Sequence, residues 1–260
     1  FLFVGLLFKL SAFPFHVWTP DVYEGAPTFV TAFFALVPKI GVLALLFKLL
    51  STSFYSSIEQ WQPLLVTAAV GSMLIGALGA LGQQRLKRLF AYSTIAHVGF
   101  ILLGLATCTW DVSFFYLTLY FVMTIATFSF LLSFGYRNVN ELAGIGRSNP
   151  VLGISFALLL FSMAGVPPLA GFFGKYVVFQ SAVASQMYSV ALVAVVTSVM
   201  GGVYYLRIIK TMFFAKVEDV ASPVTSPMAT YLFSASVGFL VFFWLFPAPV
   251  YFFAEMLSLS

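Results

Sequence analysis

The sequence predicts an all-α polytopic membrane protein, and three observations carry that expectation. Of 260 residues, 62% are hydrophobic and only 8% charged, and the mean hydropathy is +1.05. Soluble domains carry about 25% charged residues, so 12 basic and 8 acidic side chains cannot clothe a soluble globule of this length. Second, the apolar residues fall into stretches near the ~20 residues that a bilayer-crossing helix needs. Third, Lys and Arg collect in alternate connections between those stretches. The same numbers exclude a soluble enzyme, a nucleic-acid module and an intrinsically disordered chain, despite a net charge of +4. One cysteine, Cys108, excludes a disulfide framework and any iron–sulfur cluster held by this chain alone.

About eight spans are expected, at roughly 1–16, 28–50, 63–82, 89–107, 113–135, 150–187, 189–214 and 228–247. The first is short, roughly 24 Å as a helix. The sixth is too long for one straight crossing and holds Gly165, Pro167, Pro168 and Gly171, so it reads as one interrupted span. Charge supports that count. The connections after spans three, five and seven carry Arg85, Lys87, Arg88, Arg137, Arg147, Arg207, Lys210 and Lys216, while those on the other side carry Glu59, Asp111 and Glu255. This is the positive-inside asymmetry. The segment 17–27 reads as a loop on the positive side, yet it is acidic, with Asp21 and Glu24. QQRLKRL reads as a solvated, orienting loop.

Four lysines remain. Lys48 lies near a helix end and can snorkel to the interface. Lys9, Lys39 and Lys175 lie within apolar runs, where an ammonium costs about 2.5–3.5 kcal/mol on insertion scales. No Asp or Glu falls inside any apolar span, so their partners are water, backbone carbonyls or carboxylates of another chain. Each lies near a proline. Pro14 follows Lys9, Pro38 precedes Lys39, and Pro167 and Pro168 precede Lys175 while freeing the carbonyls of Met163 and Ala164. Lys-then-Pro in the first span and Pro-then-Lys in the sixth is the order an inverted repeat would produce. Packing kinks are the plainer reading of the same prolines.

His97 lies mid-span with Ser93 one turn earlier on its face, either a proton relay or a satisfied core residue. His16, at the mouth of the first span, reads as structural. Asp21 and Glu24 order the following loop or serve proton entry. No Walker, GxGxxG or HExxH pattern occurs, so no catalytic residue and no metal site is expected.

The stretch GLLFKLSAFPFHVWTPDVYEGAPTFVTAFFALVPKIGVLALLFKLL, followed by LKRLFAYSTIAHVGF and FSMAGVPPLAGFFGKYVVF, resembles the family of subunit 2 of mitochondrial NADH:ubiquinone oxidoreductase (respiratory complex I), whose bacterial counterpart is the N subunit. The likeness runs across nearly the whole chain, with FPFHVWTPDVYEGAPT its most specific block. Its Phe-rich wording is most similar to plant and algal versions, C-terminal portion.

The resemblance implies an antiporter-like subunit of fourteen spans built from inverted repeats, two spans being interrupted, near Pro14 and near Pro167 and Pro168. Residues 1–50 would then end the first repeat, 63–214 form the second, and 215–260 hold a loop, the last span and a C-terminal tail. Lys9, Lys39 and Lys175 map to proton-translocation lysines of spans seven, eight and twelve, and His97 falls in span ten. The family implies no cofactor in this chain, with FMN, iron–sulfur clusters and ubiquinone elsewhere in the complex. It also implies other membrane-arm subunits and membrane lipids as partners and no nucleic acid. The expected location is the mitochondrial inner membrane, with a bacterial plasma membrane or plastid thylakoid as the alternative.

Spans one to six, with the glutamate that partners the Lys9 position, are absent. The expectation is a separate chain supplying them, or a truncated sequence. Met123, Thr124 and Thr127 stand where some relatives place an ionisable group. A monovalent cation/proton antiporter subunit is the alternative function, and an inert scaffold the third.

Overall fold

Backbone in hydrocarbon must satisfy its own hydrogen bonds, and this chain does so almost wholly as helix. The computed structural model describes residues 1–215 and 226–259, with side chains described through Leu257. Lys216, expected on the positive side, lies outside the described residues. Among the described residues there is no strand, only an isolated bridge between Arg85 and Asn138. The helices are α1 (Leu2–Leu10), α2 (Trp18–Gly25), α3 (Thr28–Lys48), α4 (Ile58–Leu81), α5 (Leu86–Ala106), α6 (Trp110–Phe134), α7 (Ile145–Ser148), α8 (Pro150–Ala164), α9 (Ala170–Ala184), α10 (Tyr188–Phe214), α11 (Pro227–Phe242) and α12 (Ala248–Leu259).

Six segments are long and apolar enough to cross a membrane: α3 with its terminal π-turn, α4 with the turn before it, α5, α6, α10, and α11 with the turn after it. Continuous helices therefore do not reach the expected eight. The expected spans at 1–16 and 150–187 are instead two pairs of short helices, α1/α2 and α8/α9, each pair separated by a proline-bearing break.

Three local expectations are corrected. Residues 17–27 are not a loop: α2 occupies most of them, so the first interrupted element continues past His16. Its acidic residues face basic ones. Glu24 pairs with Arg85 and, at 3.1 Å, with Arg88, while Asp21 lies 3.0 Å from Arg88. QQRLKRL is only half a loop, because α5 begins at Leu86. The expected C-terminal tail is helix α12, held on α6 by the Tyr251 hydroxyl donating to Asp111 (3.1 Å) and by packing on Phe115. Pro38, in contrast to Pro14 and Pro167/Pro168, does not interrupt its helix.

Helix α5 is the axis of the bundle. It is buried along nearly its whole length, whereas α3, α10 and α11 bury a third or less of their apolar windows. Small residues let α4 lie directly on it: a Cβ on Gly76 would stand 2.5 Å from the Ala96 nitrogen, and one on Gly99 2.8 Å from the Ala69 carbonyl. A second layer of aromatics, with Phe130 stacked on Phe156 at 3.7 Å, joins α6 to α8.

The connections that carry Arg85, Arg137 and Arg207 gather at one end. The Leu86 N–H donates to the Arg137 carbonyl (2.8 Å) and the Val139 N–H to the Gln84 carbonyl (2.9 Å). Arg207 donates to the Leu81 carbonyl at 2.7 Å and also to that of Gln83. Connections that the charge pattern assigned to one side of the membrane are thus stitched together there, with α2 supplying the counter-ions.

At the second break Gly165 takes φ 89, a conformation open to glycine, and returns its N–H to the Phe161 carbonyl. Beyond it α9 presses on α8 so closely that a Cβ on Gly171 would lie 1.7 Å from the Ser162 carbonyl oxygen. Gly171→Ala is expected to destabilise the protein by about 1–3 kcal/mol through overpacking. Gly41→Ala, with nothing within 4 Å of the new Cβ, should be neutral. Thermal unfolding in detergent compares the two.

Candidate functional site

The break between α8 and α9 creates the first element of the site. Helix α8 ends at Ala164, with Gly165 left-handed, so the Ala164 carbonyl in its last turn has no helical donor, and Pro168, which lacks an N–H, cannot supply one. Lys175 of α9, 5% exposed, donates to that carbonyl at 2.8 Å and to the Ser198 hydroxyl of α10 at 3.0 Å. Its ammonium also stands 5.4 Å from the centroid of Phe100. The helix end thus prepares a ligand for a charge in the apolar bundle.

Lys39 reaches the interior from the opposite side. It projects from α3, is 1% exposed, and donates to the Tyr120 hydroxyl at 3.5 Å. That hydroxyl lies within reach of the Ala35 carbonyl (3.4 Å) and the Thr94 hydroxyl (3.3 Å). Among the described residues, neither Lys39 nor Lys175 has a carboxylate within ion-pair distance.

His97 of α5 occupies the space between them, fully packed. Its Nδ1 is 2.8 Å from the Tyr116 hydroxyl, and its ring centroid is 5.6 Å from that of Tyr120. Tyr116 and Tyr120 are one helical turn apart on α6, which places both hydroxyls toward α5. Phe100 packs on Tyr116 at 5.8 Å, closing the series Lys39, Tyr120, His97, Tyr116, Phe100, Lys175. One turn before His97, Ser93 shares a 2.5 Å hydrogen bond with Tyr205. Thr124 and Thr127 satisfy themselves on their own helix, bonding the carbonyls of Tyr120 and Met123.

Lys9 does not join this series. It was expected among the buried lysines but is exposed, on a groove between α1 and α3 bounded by Leu6, Pro38, Gly41 and Val42. The reason is packing: α1 rests one face on α3, and no described element covers the face that carries Lys9. Lys48 is exposed at the end of α3.

The α1–α2 break has a different character. Pro14 lies within it, and Ser11 adopts a left-handed conformation at φ 65. Buried polar groups are normally hydrogen-bonded. Among the described residues, Ser11 Oγ, His16 Nδ1, Thr19 Oγ1 and the Tyr23 hydroxyl are buried without a partner. Residues 16, 19 and 23 share one helical face. A polar line therefore runs from the break to the ion-paired end of α2, where Asp21 and Glu24 meet Arg85 and Arg88. His16 itself stacks on Phe13 at 6.1 Å.

Sequence reasoning missed Tyr116, Tyr120, Ser198, Thr19 and Tyr23. The i, i+4 spacing of Tyr116 and Tyr120 was the one available signal. Among the described residues, no three His, Cys, Asp or Glu side chains gather as metal ligands would.

An all-helical bundle with two interrupted elements and buried lysines flanking a histidine defines a class of membrane protein built around ionisable groups. Residues 1–201 match the family described as NADH:quinone oxidoreductase/Mrp antiporter, transmembrane, and the chain belongs to that family. It is 46% identical over 261 residues to NADH-quinone oxidoreductase subunit N of Parvibaculum lavamentivorans, covering 96% of this chain and 53% of that protein. Subunit N of Paramagnetospirillum magneticum is 43% identical with the same coverage. A chain of respiratory complex I from Thermus thermophilus, solved with bound aureothin, superposes with TM-score 0.85 at 35% identity, over 96% of this chain and 57% of that one. A chain of the Mrp complex from Dietzia sp. superposes equally well, TM-score 0.85, at 20% identity over 98% and 57%, a likeness of fold. The chain spans about half the length of the curated relatives it matches.

Tyr116→Phe leaves His97 Nδ1 buried and unbonded and should cost about 1–3 kcal/mol. In a double-mutant cycle with His97→Leu, unfolding measurements should give a non-additive coupling between the pair.

Proposed function

We propose that this chain is part of a proton-translocating membrane-arm subunit of respiratory complex I, working through Lys39 and Lys175. The observation that carries the reading is the pair of lysines buried in an apolar bundle without carboxylate partners among the described residues, linked to His97 through Tyr120 on one hand and through Tyr116 and Phe100 on the other. Ionisable residues at membrane depth are costly and mark ion pathways. Non-helical backbone is tolerated there where it is buried in protein or lines a wet cavity. The relatives named above as NADH-quinone oxidoreductase subunits support the assignment to that complex.

In this reading each interrupted pair, α1/α2 and α8/α9, completes one crossing, giving eight. A proton arrives from the basic end along Tyr23, Thr19, His16 and Ser11 and reaches the lysine line. It passes between Lys39 and Lys175 by way of the Tyr120 and Tyr116 hydroxyls, His97 and intervening water. An electrostatic or conformational signal from the quinone end changes which lysine holds the proton. The chain performs no redox step; FMN, iron–sulfur clusters and ubiquinone belong to other subunits. The exposed α1–α3 groove receives six further spans, from a separate chain or a longer form of this one, with a carboxylate that completes Lys9. The neighbours are other membrane-arm subunits, in the mitochondrial inner membrane that the plant-like wording favours or in the plasma membrane of bacteria like the curated relatives.

A second reading, a subunit of a monovalent cation/proton antiporter, is supported by the Mrp half of the family description. Sodium flux without NADH oxidation would select it.

Lys39→Met and Lys175→Met, introduced separately into the assembled complex, should lower the protons moved per NADH oxidised in proteoliposomes while assembly persists. An unchanged ratio in both overturns the reading. Thr19→Val and Tyr23→Phe remove hydroxyls that make no hydrogen bond among the described residues, so stability should stay within about 1 kcal/mol. Proton uptake should nevertheless slow, measured with a pH-sensitive dye.

A further inference from the structure

The basic end holds a cleft that the lysine line does not use. It measures about 780 Å³ and lies between the α2–α3 junction, the start of α5 and the end of α6. Arg85, Lys87 and Arg137 stand on its wall with a single carboxylate, Glu24. Glu24 is already paired with Arg85 and Arg88. Lys87 donates to the Ala26 carbonyl at 2.8 Å and feels the like charge of Arg137. Glu141 is engaged by the Arg137 N–H (2.7 Å) and the Asn138 amide (2.6 Å). Among the described residues, the Arg137 guanidinium makes no hydrogen bond or ion pair. Two neighbouring cations thus face a cleft whose one acid is committed elsewhere.

Two further features bear on what would neutralise them. The cleft is bordered by the first turns of α3 and α5, of 21 residues each, whose N–H groups favour negative charge. One flank is apolar, where Leu131 and the exposed Leu132 lie near the end of α6, while Thr28, Tyr136 and Asn138 complete the lining. Because α3 and α5 begin here and α6 ends here, the cleft lies at the level where a bilayer's headgroups meet its hydrocarbon. A soluble anion gains nothing from Leu132, whereas an acyl chain does. Basic pockets at this depth suit anionic lipid headgroups.

We propose that this cleft binds the phosphate headgroup of an anionic phospholipid, with Arg137 and Lys87 on the phosphate and an acyl chain along Leu132. The site is independent of the pumping reading, since it requires only that the chain cross a membrane. Occupied, it neutralises the Lys87–Arg137 repulsion and ties α2 and α3 to α5 and α6.

The test uses the membrane complex that contains this chain, purified and transferred into phosphatidylcholine nanodiscs. Phosphatidylglycerol is titrated in, and retained lipid is counted by mass spectrometry. Retention of phosphatidylglycerol over phosphatidylcholine is expected, weakened about fivefold by Arg137→Gln and again by Lys87→Gln. Arg147→Gln, a charge change outside the cleft, should leave it unaltered. Arg137→Gln breaks no described side-chain bond, so it reports even if Lys87→Gln fails to fold. Equal retention by wild type and Arg137→Gln overturns the proposal. So does inorganic phosphate displacing the lipid at comparable concentration, which would make the cleft a free-anion site. A photo-crosslinker at Leu132 that captures a protein chain in place of lipid would also overturn it.

Discussion

The bond between Lys175 and the Ala164 carbonyl is the interaction on which the site's geometry depends. A helix crossing hydrocarbon has no spare acceptors, because each carbonyl is taken by the N–H four residues on. Here α8 stops at Gly165 and leaves its last carbonyls without helical donors, and Pro167 and Pro168 cannot replace them. The carbonyl left over can then hold an ammonium at 2.8 Å without any carboxylate. The charge is accommodated by the same interruption that would otherwise be a defect. Gly165 and Gly171 make it sterically feasible, one by its positive φ and the other by the contact of α9 with the Ser162 carbonyl.

The two breaks resolve their polar groups differently. In α8/α9 the hydroxyl of Ser162 accepts from the Gly171 N–H and Lys175 takes the loose carbonyl. In α1/α2 four buried polar atoms remain unpartnered among the described residues. The α8/α9 break is closed by its own side chains; the α1/α2 break is the one suited to hydration, since such sites satisfy orphaned polar groups with water. Between them α5 serves as a rigid axis, its small residues admitting α4 and its His97 facing the tyrosines of α6.

Much of the fold was legible. Apolar runs located the six long helices, and the Lys and Arg pattern grouped connections that the structure gathers at one end. The segment TPDVYEG was not legible as helix, because its apolar content is low and its Pro and Gly read as turn residues. It is tied down by Arg85 and Arg88 from a distant connection. The helical tail α12 was missed for a similar reason, resting on contacts with Asp111 and Phe115 far away in sequence. Of the lysines, all three could be singled out from their apolar surroundings, but their different fates could not. Burial of Lys39 and exposure of Lys9 follow from which face of each helix is covered.

By itself the sequence determined what kind of solvent this chain inhabits, which charges are out of place there, and which carbonyls its prolines release. Those are consequences of composition and of bonds between residues a few positions apart. Only the tertiary structure decided that Lys175 would claim the Ala164 carbonyl, that Tyr116 and Tyr120 would pack on His97, and that Lys39 would be buried while no described element covers Lys9. Each joins or separates groups on different helices, and the helix packing that sets those distances is not written in any local spacing.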